Sequence, residues 1–533
     1  MRTTKTSWWQ RGIIYQVYPR SFQDSNGDGI GDLKGIVARL DYLAELGIDA
    51  VWISPIFPSP MADFGYDVSD YINVDPMFGS LTDFDALVAA AHARNLRIIL
   101  DFVPNHTSDR HPWFIESRSS RQNAKRDWYI WRDGQGDGGL PNNWLSEFGG
   151  SAWTFDETTR QYYYHAFLKE QPDLNWRNSA VRDAMLNVLR FWLERGVDGF
   201  RVDAIHHLIE AEHLRDNPLN PDWREGQSPA RRLTRLYSTD QEETHDAIAA
   251  MRTLTDTYSD RVLIGEASLP IEQLMAYYGI DRPGFHLPFN FHLIKSVWDP
   301  KVIAGLIEQY ESALAGGAER WPNWVLGNHD RSRVASRVGA AQARIAAMLL
   351  LTLRGTPTIY QGEEIGMQDV PIPTQAVRDP WEKNVPGLGL GRDPERTPMQ
   401  WDASDNAGFT AAEPWLPLSS DSHVLNVAAQ RADPHSMLSL YRQLIALRRR
   451  EPALSIGAHI KADATGDVLT YQRFHDGRWL TIALNFGDAQ TTIGNTRSTQ
   501  EVLISTYLDR VNRESGNTIP LRANEGVVMA AAG

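Results

Sequence analysis

The chain contains no cysteine. That excludes disulfides, thiolate metal centres and cysteine nucleophiles together, and it fits a reducing, cytoplasmic setting. No apolar run approaches the ~20 residues that a membrane helix needs, and Met1–Trp9 lacks the apolar stretch of a signal peptide. Positive charge is in deficit: the formal net charge is −14, which disfavours nucleic acid and anionic membranes as partners. Apolar (42%) and charged (23%) contents are those of an ordinary globular protein. The length of 533 residues exceeds one ordinary core and suggests about three domains, one of them large.

Within this frame, four short apolar runs each end in a carboxylate. They are RIILDFVPNH at 97–106, GFRVDAI at 199–205, VLIGEAS at 262–268 and WVLGNHD at 324–330. Each reads as a buried parallel strand whose C-terminal end presents Asp101, Asp203, Glu266 or Asp330. Helical patterns separate them. Ile36, Leu40 and Leu43 share one helical face with Gly47 as stop, and Phe84, Leu87, Val88 and Ala91 share another. Strand–helix alternation implies a parallel sheet. Several acidic strand ends in series imply a (β/α)8 TIM barrel with its site at one face. Gly284–Asn290 is the weakest strand segment and is assigned as the sixth because the count requires it.

The rhythm breaks between residues 105 and 175, a Trp-, Tyr-, Gly- and Asp-rich stretch too long for a simple loop and read as an inserted subdomain after the third strand. Beyond residue 455 only strands are predicted, with a hairpin turn at Asp476–Gly477. The organisation expected is therefore barrel (1–104), insertion (105–175), barrel (176–455) and a C-terminal antiparallel β domain (456–533).

These motifs resemble glycoside hydrolase family 13, the α-amylase family, in its α-glucosidase and oligo-1,6-glucosidase branch. DFVPNH, GFRVDAI, GEAS and GNHD are similar to the four signature regions in order and spacing, and QPDLN at 171–175 to a further branch signature. The resemblance implies Asp203 as nucleophile, Glu266 as general acid/base and Asp330 as transition-state stabiliser. Separate carboxylates around one carbon are what retaining glycoside cleavage requires. Arg201, two residues before Asp203 on the same strand, is expected to face the same side and hold that carboxyl ionised. By the same resemblance His106 and His329 bind hydroxyls of the cleaved sugar, Tyr66 stacks on it, Asp67 binds the terminal glucose, and Arg396 and Phe167 line the pocket. Ala204, just after the nucleophile, corresponds to a position that tracks linkage, and a small residue there goes with α-1,4 bonds.

The loop Asp24–Asp32 (DSNGDGIGD) alternates oxygen donors as the first half of an EF-hand does, but Gly35 stands where the closing Glu would be. The resemblance implies a structural Ca²⁺ held by Asp24, Asn26, Asp28, the Ile30 carbonyl and Asp32. A plain Asx/Gly turn is the alternative. His206, Glu210 and His213 share a helical spacing but no zinc motif, and no organic cofactor is expected.

The function implied is a retaining exo-acting α-glucosidase that releases glucose from short α-glucosides, with small α-glucosides as its partners and transfer to other alcohols as a second outcome. Oligo-1,6-glucosidase, sucrose hydrolase or isomerase, and trehalose synthase are alternatives within the family. A non-catalytic relative of the transporter heavy chains is the alternative of another class. The sequence is silent on oligomeric state.

Overall fold

A computed structural model describes residues 6–136, 138–317, 320–494, 499–510, 513–515 and 517–531. Eight parallel strands form one sheet: β1 (Ile14–Val17), β2 (Ala50–Ile53), β3 (Arg97–Phe102), β7 (Gly199–Val202), β8 (Val262–Gly265), β9 (Leu287–Pro288), β10 (Asn323–Val325) and β11 (Thr356–Tyr360). Their spatial order runs β10-β11-β1-β2-β3-β7-β8-β9. A parallel bridge from Asn290 to Trp324 joins the last strand to the first, closing the barrel through the segment that the sequence marked most weakly.

Alternation along the strands decides which residues reach the site. Ile14, Ala50, Trp52, Ile99, Val262, Ile264, Leu287 and Val325 pack together in one cluster, whereas Tyr15, Val51, Ile98, Leu100, Phe200 and Leu263 belong to the larger core shared with the helices. The first set faces the barrel axis and the second the helix layer. Two residues beyond Ile99, Gly199 and Ile264 lie Asp101, Arg201 and Glu266, and two beyond Arg201 lies Asp203. Strand parity alone aims these groups into the barrel mouth. Gly199 is required by close approach, since a Cβ there would sit 2.4 Å from the Val262 carbonyl oxygen.

The helices obey their sequence signals. Leu33–Leu46 is capped by Asp32 and ends at Gly47 in the left-handed region (φ 94°), and Leu81–His92 begins in a Ser80/Asp83 capping box. Between β3 and β7 lie β4 (Trp131–Arg132), β5 (Trp153–Asp156) and β6 (Gln161–Tyr164), a small antiparallel sheet over a core of Trp144, Trp153 and Tyr164. The bridge His106–Asp173 ties the end of this insertion back to the segment just after β3, and Tyr129–Leu174 closes it internally. From Ala458 onward the regular structure of the described residues is antiparallel, in one six-stranded and one two-stranded sheet. The turn at Asp476–Gly477 has φ of 44° and 81° and pairs His475 with Arg478, the two-residue hairpin expected.

Candidate active site

The strand ends open into a cavity of about 410 Å³. Of the residues singled out from sequence, Tyr66, His106, Phe167, Asp203, Ala204, Glu266 and Asp330 line it. Arg201 lies beneath, 1% exposed. Its Nη1 contacts Asp101 Oδ1 at 2.7 Å and Asp203 Oδ1 at 2.6 Å, and its Nη2 reaches Glu266 Oε2 at 2.7 Å. Asp101 therefore braces the arginine, with Trp52 Nε1 and Tyr66 Oη donating to its second oxygen at 3.1 Å each. The backbone N–H of Ala204, a residue in the left-handed region (φ 43°), donates to Glu266 Oε2 at 2.9 Å. One planar guanidinium thus fixes two carboxylates of the site relative to each other.

The electrostatics differ from the sequence expectation in one respect. Burial pushes the Asp203 carboxyl well above its ordinary range. Arg201 pulls it down as expected, but the negative Glu266 and Asp101 add to the upward push. Burial also lifts Asp101, to about 6, against Arg201. Asp203 and Asp101, drawn to one guanidinium beside a third carboxylate, hold a proton to a higher pH than isolated groups would. The cluster as a whole, rather than one residue, is the proton store.

Asp330 stands in the opposite regime. Burial opposes its ionisation, yet the ring N–H of His329 and the charges of Arg396 and Arg392 together hold its carboxyl far below the usual range. Arg396 Nη2 donates to Asp330 Oδ1 at 2.7 Å and its Nε to the His329 carbonyl at 2.7 Å. Gln16 Nε2 lies 2.7 Å from His329 Nδ1, which leaves the Nε2–H of a neutral ring facing Tyr66 Oη at 2.7 Å and Asp330 Oδ2 at 3.3 Å. Burial depresses the His329 and His106 pKa values, the latter to about 3. Both rings are neutral hydrogen-bonding groups at physiological pH.

Three residues expected to touch the sugar, Asp67, Arg396 and His329, do not line the cavity. Asp67 does not line the cavity: it is fully buried, and its carboxylate accepts from Ser59 Oγ (2.8 Å), Ala62 N (2.9 Å) and Asp63 N (2.9 Å). Asp63 takes the cavity position instead. The chain between them turns through positive φ at Phe64 (49°) and Gly65 (109°), which sends the two aspartates in opposite directions. Arg396 likewise does not line the cavity, being packed behind Asp330, and Arg392 lines it in its place. Arg392 Nη2 contacts Asp63 Oδ1 at 2.6 Å and Asp379 Oδ1 at 2.7 Å. His329 also acts from behind the wall. A charged pair within the FGYD and RTPMQW neighbourhoods was visible in sequence, but each offers two like residues four apart.

In the Asp24–Asp32 loop the donors are oxygens throughout, as a hard cation requires. Their carboxylates are turned to amides: Asp24 accepts from Asn26, Gly27 and Gly29, Asp28 from Ile30, and Asp32 from Ser25 and Gly35. Among the described residues no three His, Cys, Asp or Glu side chains converge as a metal-holding group. The donor chemistry fits Ca²⁺; the arrangement is that of an Asx/Gly turn.

The alpha-amylase catalytic domain matches residues 16–457, and the chain belongs to that family, in its α-glucosidase branch. It is 44% identical over 500 residues to a probable alpha-glucosidase of Rhizobium meliloti (strain 1021), covering 91% of this chain and 90% of the relative. It is also 41% identical over 515 residues to the amino acid transporter heavy chain SLC3A1 of Rattus norvegicus, covering 93% of this chain and 73% of the relative. The crystal structure of the alpha-glucosyl transfer enzyme XgtA superposes with a TM-score of 0.93 at 40% identity, covering 99% of this chain and all of the other. Among the described residues no helix is long and apolar enough to cross a membrane.

Proposed function

We propose that this protein is a retaining, exo-acting α-glucosidase of short α-glucosides. Relatives at nearly equal identity include both an alpha-glucosidase and a transporter heavy chain, and the site distinguishes between them. Its central observation is the shared guanidinium of Arg201, which holds Asp203 and Glu266 on adjacent nitrogens. Retaining catalysis uses carboxyl groups about 5–5.5 Å apart, closer than the ~6.5–9.5 Å that leaves room for an attacking water. Asp203 attacks the anomeric carbon while Glu266 donates the cluster's proton to the departing oxygen. The resulting glucosyl ester is then opened by water, or by another alcohol, deprotonated by Glu266. Asp330, kept ionised, grips sugar hydroxyls as the ring flattens towards an oxocarbenium ion.

The Asp63–Arg392 pair joins two loops across the wall of the cavity and supports end-on entry, hence release of single glucose units. Ala204 lies beside Asp203 and lines the cavity, its backbone N–H donating to Glu266, and its small size supports α-1,4 linkages. The test is product analysis with maltose, isomaltose, sucrose and trehalose at low and high concentration. Glucose from maltose, with little from isomaltose, is the expected result, and new oligosaccharides at high concentration reveal transfer. Preferred turnover of isomaltose overturns the linkage assignment, and rearranged disaccharides favour an isomerase.

Ca²⁺ in the Asp24–Asp32 loop belongs to the same proposal, as a structural ion remote from the chemistry. Asp24, Asn26, Asp28, the Ile30 carbonyl and Asp32 would hold it. Added Ca²⁺ should raise the thermal unfolding midpoint and EGTA should reverse the gain, with kcat unchanged. A midpoint indifferent to both shows that the loop is a turn and nothing more.

A further inference from the structure

The aglycone leaves from the Glu266 side of the cavity, because that is the oxygen receiving the proton. On this side the lining changes character. Lys295, Arg231 and Arg331 all line the cavity. Lys295 donates to Ser268 Oγ, two residues beyond Glu266, and none of these cations has a carboxylate at ion-pair distance among the described residues. Their basic neighbours differ: Arg235 is bound to Glu147, and Arg392 to Asp63 and Asp379. Desolvation at the mouth, then the positive Arg331 and Arg231, outweigh the opposing charge of Glu266 and bring the Lys295 ammonium down to about 8, so the cations lie within electrostatic reach of one another.

A protein with net charge −14 does not gather uncompensated cations at one cavity mouth by composition. Neutral sugars give them nothing to neutralise. Cations repelling one another at a partly desolvated rim stabilise an anion placed among them, through charge-assisted hydrogen bonds. We infer that the aglycone subsite, formed by Lys295, Arg231 and Arg331, selects α-glucosides or acceptors that carry an anionic group, a carboxylate or a phosphate. The inference rests on the α-glucosidase reading above and assigns the class of aglycone that such an enzyme prefers.

Two matched pairs of substrates test it. One is 4-carboxyphenyl α-glucoside against its primary amide. The other is maltose phosphorylated at O6 of the reducing glucose against maltose. The ratio of kcat/KM, anionic over neutral, should be roughly tenfold or more in at least one pair, and the pair that shows it distinguishes carboxylate from phosphate. The preference should collapse in about 0.5 M NaCl, where screening is short-ranged. It should also fall to about one in the Lys295→Gln/Arg231→Gln double variant, whose exposed positions do not put folding at risk. A ratio near or below one in both pairs, with the neutral members turned over, overturns this inference alone. So does an anion preference that survives the double substitution. Failure of all four substrates overturns the α-glucosidase reading, and the inference with it.

Discussion

Asp203→Asn should lower turnover of maltose by at least about 10⁴-fold while the protein remains folded. The asparagine keeps the shape of the side chain but removes the anion that forms the glucosyl ester, and losses of this order accompany removal of a nucleophile. Folding is protected because Arg201 retains Asp101 and Glu266 as partners, both at 2.7 Å. An unchanged melting profile beside lost activity is therefore the expected pairing. A merely structural role for Asp203 would predict the opposite pairing. Chemical rescue of Asp203→Gly, which opens the space that asparagine still fills, sharpens the distinction: azide, entering where the carboxylate was, should attack an activated α-glucoside from the vacated face and yield β-glucosyl azide. A variant that keeps turnover within about tenfold of the parent, after reversion and contamination are excluded, sinks the assignment.

The architecture was readable because it depends on repeated local signals. Residues two apart on a strand share a face, so Asp101 follows Ile99, Glu266 follows Ile264, and Arg201 and Asp203 follow Gly199 on the barrel-facing side, which carries the charged groups to one mouth. Asp476–Gly477 fixes its hairpin by the same kind of local rule. The closure at Asn290 was weakly marked because β9 is only two residues long and carries little periodicity. What escaped were choices between like residues four apart. Asp63 and Asp67 sit in one segment, as do Arg392 and Arg396, and composition cannot say which member faces the cavity. The answer lies in the turn between them, through positive φ at Phe64 and Gly65 in the first case. The Asp203 carboxyl was misjudged for a related reason: Arg201 was visible as a sequence neighbour, but burial and the charges of Asp101 and Glu266 are tertiary.

That ambiguity supplies the second large effect. Asp63→Asn should reduce kcat/KM on maltose by about 10²–10³-fold, the scale for losing one member of a buried charged contact. Its loss should not unfold the protein, because Arg392 still has Asp379, which receives its Nε at 3.1 Å and its Nη2 at 2.7 Å. Asp67→Asn should behave in the reverse manner. Its carboxylate accepts three hydrogen bonds in a fully buried loop, so an amide there must turn a donor towards groups that themselves donate. Each unmet buried group costs about 1–3 kcal/mol, and the measurable consequence is a lower unfolding midpoint, with kcat/KM of the remaining folded protein changed far less than in Asp63→Asn. Steady-state kinetics and thermal melts on the two variants side by side decide the matter. If Asp67→Asn carries the catalytic loss and Asp63→Asn is silent, the terminal glucose is held by the residue the sequence first suggested, and the loop must rearrange around substrate to bring it there.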